Sequence, residues 1–130
     1  EILNDLKPVL VAKTIDDEIE ILDMLSRFLN RNPNFSVQTF SNPVSALSSI
    51  NNNTKYDLVL LDIMMPQMNG LDVLEKLKEI NSDQKVIMMT AYSTLDKVLK
   101  SHKIGATNYV MKPFSSLDSL EKKVIEVLEA

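Results

Sequence analysis

The sequence predicts an α/β fold: a three-layer, doubly wound (βα)5 sandwich built on one parallel five-stranded sheet. Three observations predict it. Apolar runs alternate with segments of helical period about five times along the 130 residues, the pattern of stacked βαβ units. Leu58-Val59-Leu60-Leu61 and Val86-Ile87-Met88-Met89 are apolar at every position, as strands covered by helices on both faces must be, whereas a sheet exposed on one side would alternate. The helical segments, finally, open on cap and turn chemistry where such units need it.

The elements follow in order. A first strand spans residues 9–15, but Lys13 and Thr14 fall where a central strand should be apolar, so it either starts early and frays or shifts register near Lys13; nothing in the sequence accounts for a Lys there. Ile19, Leu22, Leu25 and Leu29 then mark a helix, opened by Asp17-x-x-Glu20 in the manner of a capping box. A second strand at 36–40 leads through the turn chemistry of Ser41-Asn42-Pro43 into a weaker helix at about 44–50, stopped by Asn51-Asn52-Asn53. The third strand, 58–61, is followed by Asn69-Gly70 and by a helix carrying Leu71, Leu74, Leu77 and Ile80. The fourth, 86–89, precedes Ser93-x-x-Asp96 and the stripe Leu95, Val98, Leu99; the fifth, 108–111, precedes Ser115-x-x-Asp118 and Leu117, Leu120, Val124, Val127, Leu128. Right-handed crossovers assemble these into the sandwich.

Composition narrows the chemistry. One domain over residues 1–130, with its core at about 9–128, suits this length, and 45% hydrophobic residues suffice to bury that core. There is no Cys and one His, which excludes disulfides, thiol nucleophiles, Cys-based zinc sites and any multi-histidine site within one chain. A net charge of −4 disfavours direct binding to a nucleic-acid backbone, and the one adjacent basic pair, Lys122-Lys123, shares its segment with Glu121, Glu126 and Glu129. No apolar run is long enough to span a bilayer and no secretory leader is visible, so a cytoplasmic location is expected. The chain begins at Glu1 rather than Met, which leaves an excerpt of something longer as an expectation.

Ligands of open parallel sheets bind at the carboxyl ends of the strands. The polar residues directly after the apolar runs are Asp16 and Asp17, Asp62, Thr90 and Lys112. Taken singly, Asp17 reads as a helix N-cap, Thr90 as a strand-end threonine and Lys112 as an exposed loop residue before Pro113. Asp62 is harder to dismiss, because it separates two apolar stretches with a charge that must be solvated, paired or metal-bound. Their joint placement at strand ends argues against coincidence.

At these residues the sequence resembles a known family. Ile15-Asp16-Asp17-Glu18, the stretch from Asp62 through Met65-Pro66 to Gly70 (D-x-x-M-P-x-x-x-G), Met89-Thr90-Ala91-Tyr92-Ser93, Gly105-Ala106 and Lys112-Pro113-Phe114 look like the receiver domain of two-component response regulators, the CheY-like domains. The similarity runs from about Val9 to Leu128; Lys13-Thr14 depart from it, since the family usually has aliphatic residues there. The resemblance implies a sheet of order 2-1-3-4-5 and Mg²⁺-dependent phosphoryl transfer from a phosphohistidine of a sensor histidine kinase or phosphotransfer protein to the Asp62 carboxylate. By motif position Asp17 and Asp62 would be direct Mg²⁺ (or Mn²⁺) ligands, Asp16 would act mainly through water, and the Met64 backbone carbonyl would complete the set; oxygen ligands and retained waters suit that ion. Lys112 would hold phosphoryl oxygens. Thr90 would report the modification and Tyr109 would follow it inward, rearranging the surface of the fourth helix, fifth strand and fifth helix that a partner or second protomer would read. The bland alternative for Tyr109 is a half-buried strand aromatic.

Met64 and Tyr92, two residues past Asp62 and Thr90, flank the path of a hydrolytic water and cannot orient it, so a long-lived aspartyl phosphate is expected. Met64, Met65, Met68, Met88 and Met89 read mainly as core filling, with Met68 an adaptable contact near a loop tip, and His102 as a surface residue. Two rival classes compete. A haloacid-dehalogenase-like phosphatase wants a second Asp two residues after the nucleophile, where Met64 stands. A flavodoxin-like FMN binder wants a Ser/Thr/Gly-rich phosphate loop where Asp16-Asp17-Glu18 would repel the phosphate. A third reading, an inert docking receiver, is disfavoured because no site residue is missing.

Overall fold

The apolar runs form β1 (Val9–Ala12), β2 (Val37–Phe40), β3 (Leu58–Asp62), β4 (Val86–Ala91) and β5 (Asn108–Lys112). Between and after them lie α1 (Ile19–Asn30), α2 (Pro43–Ser49), α3 (Gly70–Ile80), α4 (Lys97–Ile104) and α5 (Leu117–Glu129). These come from a computed structural model that describes residues 9–12, 19–33, 35–49, 56–63, 68–91, 95–112 and 114–129. All four strand pairings are parallel and the order is β2-β1-β3-β4-β5, as the resemblance implied.

The continuous apolarity of β3 and β4 has a simple cause. Side chains alternate between faces, and each face is covered. Val59 and Leu61 of β3 and Val86 and Met88 of β4 join Ala46 of α2 and Val73, Leu74 and Leu77 of α3 in one core. Leu58 and Leu60, with Ile87 and Met89, join Leu22, Leu25 and Leu29 of α1 and Leu120, Val124 and Val127 of α5 in the other. Burying each such side chain contributes about 1.5–3 kcal/mol, so a one-residue slip of register, which would exchange the faces, is strongly resisted. Met88 and Met89 are fully buried and Met68 packs at the edge of the first core, in line with core filling.

Local signals set most helix starts. Asn42 Oδ1 accepts a hydrogen bond from Val44 N at 2.8 Å, with Pro43 pre-organised at the first helical position. Asn69 does the same for α3, its Oδ1 accepting from Leu71 N at 2.8 Å, so the Asn69-Gly70 turn is a helix cap. The Ser115 cap is off by one residue: Ser116 Oγ accepts from Ser119 N at 3.0 Å, because α5 begins at Leu117.

The fourth helix departs further. It starts at Lys97, after a turn in which Val98 N donates to Leu95 O at 3.1 Å. Asp96 sits at its N-cap in helical conformation without a side-chain cap bond, so it is not the N3 residue of a capping box; Ser93 lies outside the described residues. Leu99, expected in the core, is 74% exposed. Burial of Val98 and of Ser101, whose hydroxyl donates to Val98 O at 2.6 Å, together with half-buried Ile104, defines the inner face and turns Leu99 outward. The helix ends at Gly105, whose φ of 128° suits a residue without Cβ. Residues 13–18 lie outside the described residues, and with them Lys13, Thr14 and the Asp17 cap; so do 50–55, which hold the three asparagines.

Candidate functional site

Asp62 is the last residue of β3, not the first of a loop. It pairs with Met89, and Ile63 N carries the ladder on by donating to Met89 O at 3.1 Å. Likewise Thr90 lies inside β4, opposite Met111, and Lys112 ends β5 opposite Ala91. The polar residues were expected just past the strands because hydrophobicity stops there; the backbone hydrogen bonding does not.

The charge at Asp62 is therefore buried, with the residue 4% exposed, and it must be compensated. Lys112 compensates it. Its Nζ lies 3.0 Å from Asp62 Oδ1, although β3 and β5 are separated by β4 and so by roughly 10 Å. The long lysine stem spans the carboxyl end of β4. Thr90 sits at that same end, fully buried, its hydroxyl donating to Ala91 O at 3.1 Å. Strand alternation puts Asp62 and Lys112 on the face of Leu60 and Val110, and Thr90 on the opposite face with Met88 and, on the neighbouring strand, Tyr109.

Gly70 shapes the site from behind, a role its reading as turn chemistry did not anticipate. Its N donates to Ile63 O at 2.8 Å, which ties the start of α3 to the end of β3. A Cβ at Gly70 would fall onto the Asp62 carbonyl oxygen and 2.6 Å from Ile63 Cα. Both are backbone atoms, which cannot step aside as a flexible side chain could.

Of the predicted site residues, Asp62 and Lys112 meet, and Thr90 lies at the same carboxyl end of the sheet on the opposite face. Tyr109 is half-buried three residues before Lys112 on β5, opposite Met88. Asp16, Asp17, Met64 and Tyr92 lie outside the described residues. His102 is exposed on α4, as expected. Lys123, read only as one half of a basic pair, reaches the Tyr109 carbonyl with its Nζ at 2.8 Å; nothing in a linear sequence marks that contact.

A family model for the response regulator receiver domain matches residues 12–125. The chain belongs to that family. As a receiver domain it is homologous to the phosphorylatable regulators of two-component systems, and Asp62 stands at the position expected of the acceptor. It is 34% identical over 116 residues to sporulation initiation phosphotransferase F of Bacillus subtilis, covering 88% of this chain and 90% of that protein. It is 36% identical over 109 residues to a transcriptional regulatory protein of Haemophilus influenzae, a CpxR homolog, covering 83% of this chain and 46% of the relative. The chain thus spans under half the length of that relative and nearly all of the first. Among solved structures, a CheY-like receiver domain protein from Methanospirillum hungatei superposes with a TM-score of 0.81 at 32% identity, covering 96% of each chain. The phosphatase and FMN-binding readings fall with this assignment.

A receiver domain is a signalling domain, and the family is in general Mg²⁺-dependent. Among the described residues no three carboxylate or imidazole side chains gather in one place; Asp62 is the described member of the predicted ligand set. Its chemistry fits: the oxygen of a buried carboxylate is what a hard divalent ion takes. No described helix is long and apolar enough to cross a membrane.

Proposed function

We propose that residues 1–130 act as one receiver unit that takes a phosphoryl group from a phosphohistidine of a sensor kinase or phosphotransfer protein onto Asp62. An Asp62 carboxylate oxygen forms the new P–O bond as the P–N bond to the donor imidazole breaks, the electron pair and then a proton going to the imidazole nitrogen. The product is an aspartyl phosphate. The observation that carries the reading is the Lys112–Asp62 contact of 3.0 Å at a buried strand end: the ammonium is already beside the carboxylate on which phosphoryl oxygens would arrive. Asp16, Asp17, Asp62 and the Met64 carbonyl would hold Mg²⁺ or Mn²⁺, which when bound neutralises charge on the transferred group.

Thr90 supports the switching half of the reading. Its hydroxyl is engaged by Ala91 O, a neutral hydrogen bond that a charged phosphoryl oxygen, accepting more strongly, can replace. Turning Thr90 changes the space beside Tyr109 on the same sheet face, and so the surface of α4, β5 and α5, where Leu99 and Met111 are exposed. That surface is read by an output domain, a partner or a second copy of the chain. The domain itself contacts no nucleic acid and no membrane, acts in the cytoplasm, and catalyses only its own phosphorylation and dephosphorylation.

The test is incubation with a small phosphodonor and Mg²⁺ followed by intact-mass measurement. A base-labile phosphate adduct is expected on the parent, and its appearance at the same level in Asp62→Asn overturns the assignment.

A further inference from the structure

We propose that Lys123 is a positioning residue for Tyr109, a latch that holds the ring in the arrangement of the unmodified domain; the inference rests on the switch reading of Thr90 and Tyr109. It starts from the sheet edge. β5 has β4 on one side only, so alternate residues direct both backbone groups away from the ladder and need other partners. At Tyr109 both are supplied by side chains. Tyr109 N donates to Asn108 Oδ1 at 2.8 Å, and Tyr109 O accepts from Lys123 Nζ at 2.8 Å.

Lys123 belongs to α5, which packs on the face of Val110, whereas Tyr109 packs with Met88 and Leu61 on the other face. The lysine therefore reaches around the edge from one layer of the sandwich to the other. Its ammonium also lies 5.4 Å from the centroid of the Tyr109 ring, within cation–π range. One charge thus grips the ring and the carbonyl of the same residue. A switch tyrosine that must swing inward would have to leave the ammonium while its backbone stays tied to it. The arrangement seen here is the one in which Thr90 is turned to Ala91 O, so the latch stabilises the unmodified state against the modified one.

Lys123→Met removes the charge and keeps the aliphatic stem; Lys123→Gln removes the charge but keeps a donor for the carbonyl; Lys123→Arg keeps both. Beryllofluoride with Mg²⁺ serves as the phosphoryl mimic, and ¹⁹F NMR on 3-fluorotyrosine protein reads the ring, assigned through Tyr109→Phe. The chain has no Trp and three Tyr, so the signal is sparse. Lys123→Met and Lys123→Gln are expected to bind beryllofluoride about two- to fivefold more tightly, and to shift the Tyr109 resonance of the unliganded protein toward its liganded position. Lys123→Arg should restore the parent values. A lysine that only stabilised the fold would change the melting temperature and leave the affinity alone.

Parent-like affinity and Tyr109 signal in the Met and Gln variants, or an Arg variant that behaves like Met, overturns the latch while leaving the acceptor reading intact. A parent protein that takes up no beryllofluoride, or takes it up undiminished in Asp62→Asn, overturns the acceptor reading itself and the latch with it.

Discussion

Lys112 Nζ lies 3.0 Å from Asp62 Oδ1 although the strands that carry the two residues are not neighbours in the sheet. β4 lies between them and ends at Ala91, the register partner of Lys112, so the lysine side chain spans the carboxyl end of that strand. Breaking the pair from either side is not symmetric. Lys112→Met leaves a buried carboxylate without this counter-charge and is expected to cost about 3 kcal/mol in urea unfolding without Mg²⁺. Asp62→Asn removes the buried charge and should cost less than 1 kcal/mol or stabilise. Equal losses for the two variants would show that the contact does not govern the site's stability.

Mg²⁺ bound by the folded site and not by the unfolded chain stabilises by mass action, by about 2.7 kcal/mol at a hundred times its Kd. A rise of melting temperature with Mg²⁺, reversed by EDTA and largely lost in Asp17→Asn, is the expected outcome. A shift preserved in that variant would place the ion elsewhere.

Gly70→Ala should destabilise although alanine is the better helix former by about 1 kcal/mol. The new methyl meets the Asp62 carbonyl and the Ile63 backbone, and the expected net loss is about 1–3 kcal/mol. Because those atoms belong to the strand end bearing the acceptor, phosphorylation by a small donor should slow as well; normal stability and normal rate together would refute the close approach.

Leu99 and Val98 are adjacent in α4 and should behave oppositely. Leu99 is 74% exposed and Val98 8%, so Leu99→Ser should change stability by less than about 0.5 kcal/mol. Val98→Ala should cost on the order of 2 kcal/mol. Comparing urea midpoints of the two variants checks the rotation of the helix.

Met64 and Tyr92 follow Asp62 and Thr90 by two residues, and neither side chain can align a water as an amide or carboxylate does. The double variant Met64→Asn, Tyr92→Glu is expected to lose its aspartyl phosphate at least several-fold faster than the parent. An unchanged phosphate half-life would remove these positions from control of the lifetime.

The chemistry of the site was legible where it was written as residue type against an apolar background. Asp62 stood out because a carboxylate between apolar runs must be compensated, and Asp16, Asp17, Thr90 and Lys112 because each follows such a run. Hydrophobicity marks where apolar side chains stop and not where a strand ends. Asp62, Thr90 and Lys112 are strand residues, since the ladder continues wherever neighbouring backbones remain in register. Leu99 was misplaced for a related reason: with only Leu95, Val98 and Leu99 to define a stripe, helical period alone allows two inner faces, and Ser101, a polar residue buried by bonding to Val98 O, carried the deciding vote unseen. Ser115 and Ser116 are equivalent as sequence; the start of α5 chose between them.

By itself, the sequence determined the class of fold, the alternation of elements and the chemical types gathered for a site, because burial and turn chemistry are local properties of residues. Only the tertiary structure decided which of those residues touch. The reach of Lys112 across β4 depends on strand order and register, which bring together residues 50 positions apart in the chain, and the press of Gly70 against the acceptor strand and the grip of Lys123 on Tyr109 depend on how α3 and α5 sit against the sheet. Such contacts carry no local signature, since the residues that make them are chosen by distance in space and not by their neighbours in sequence.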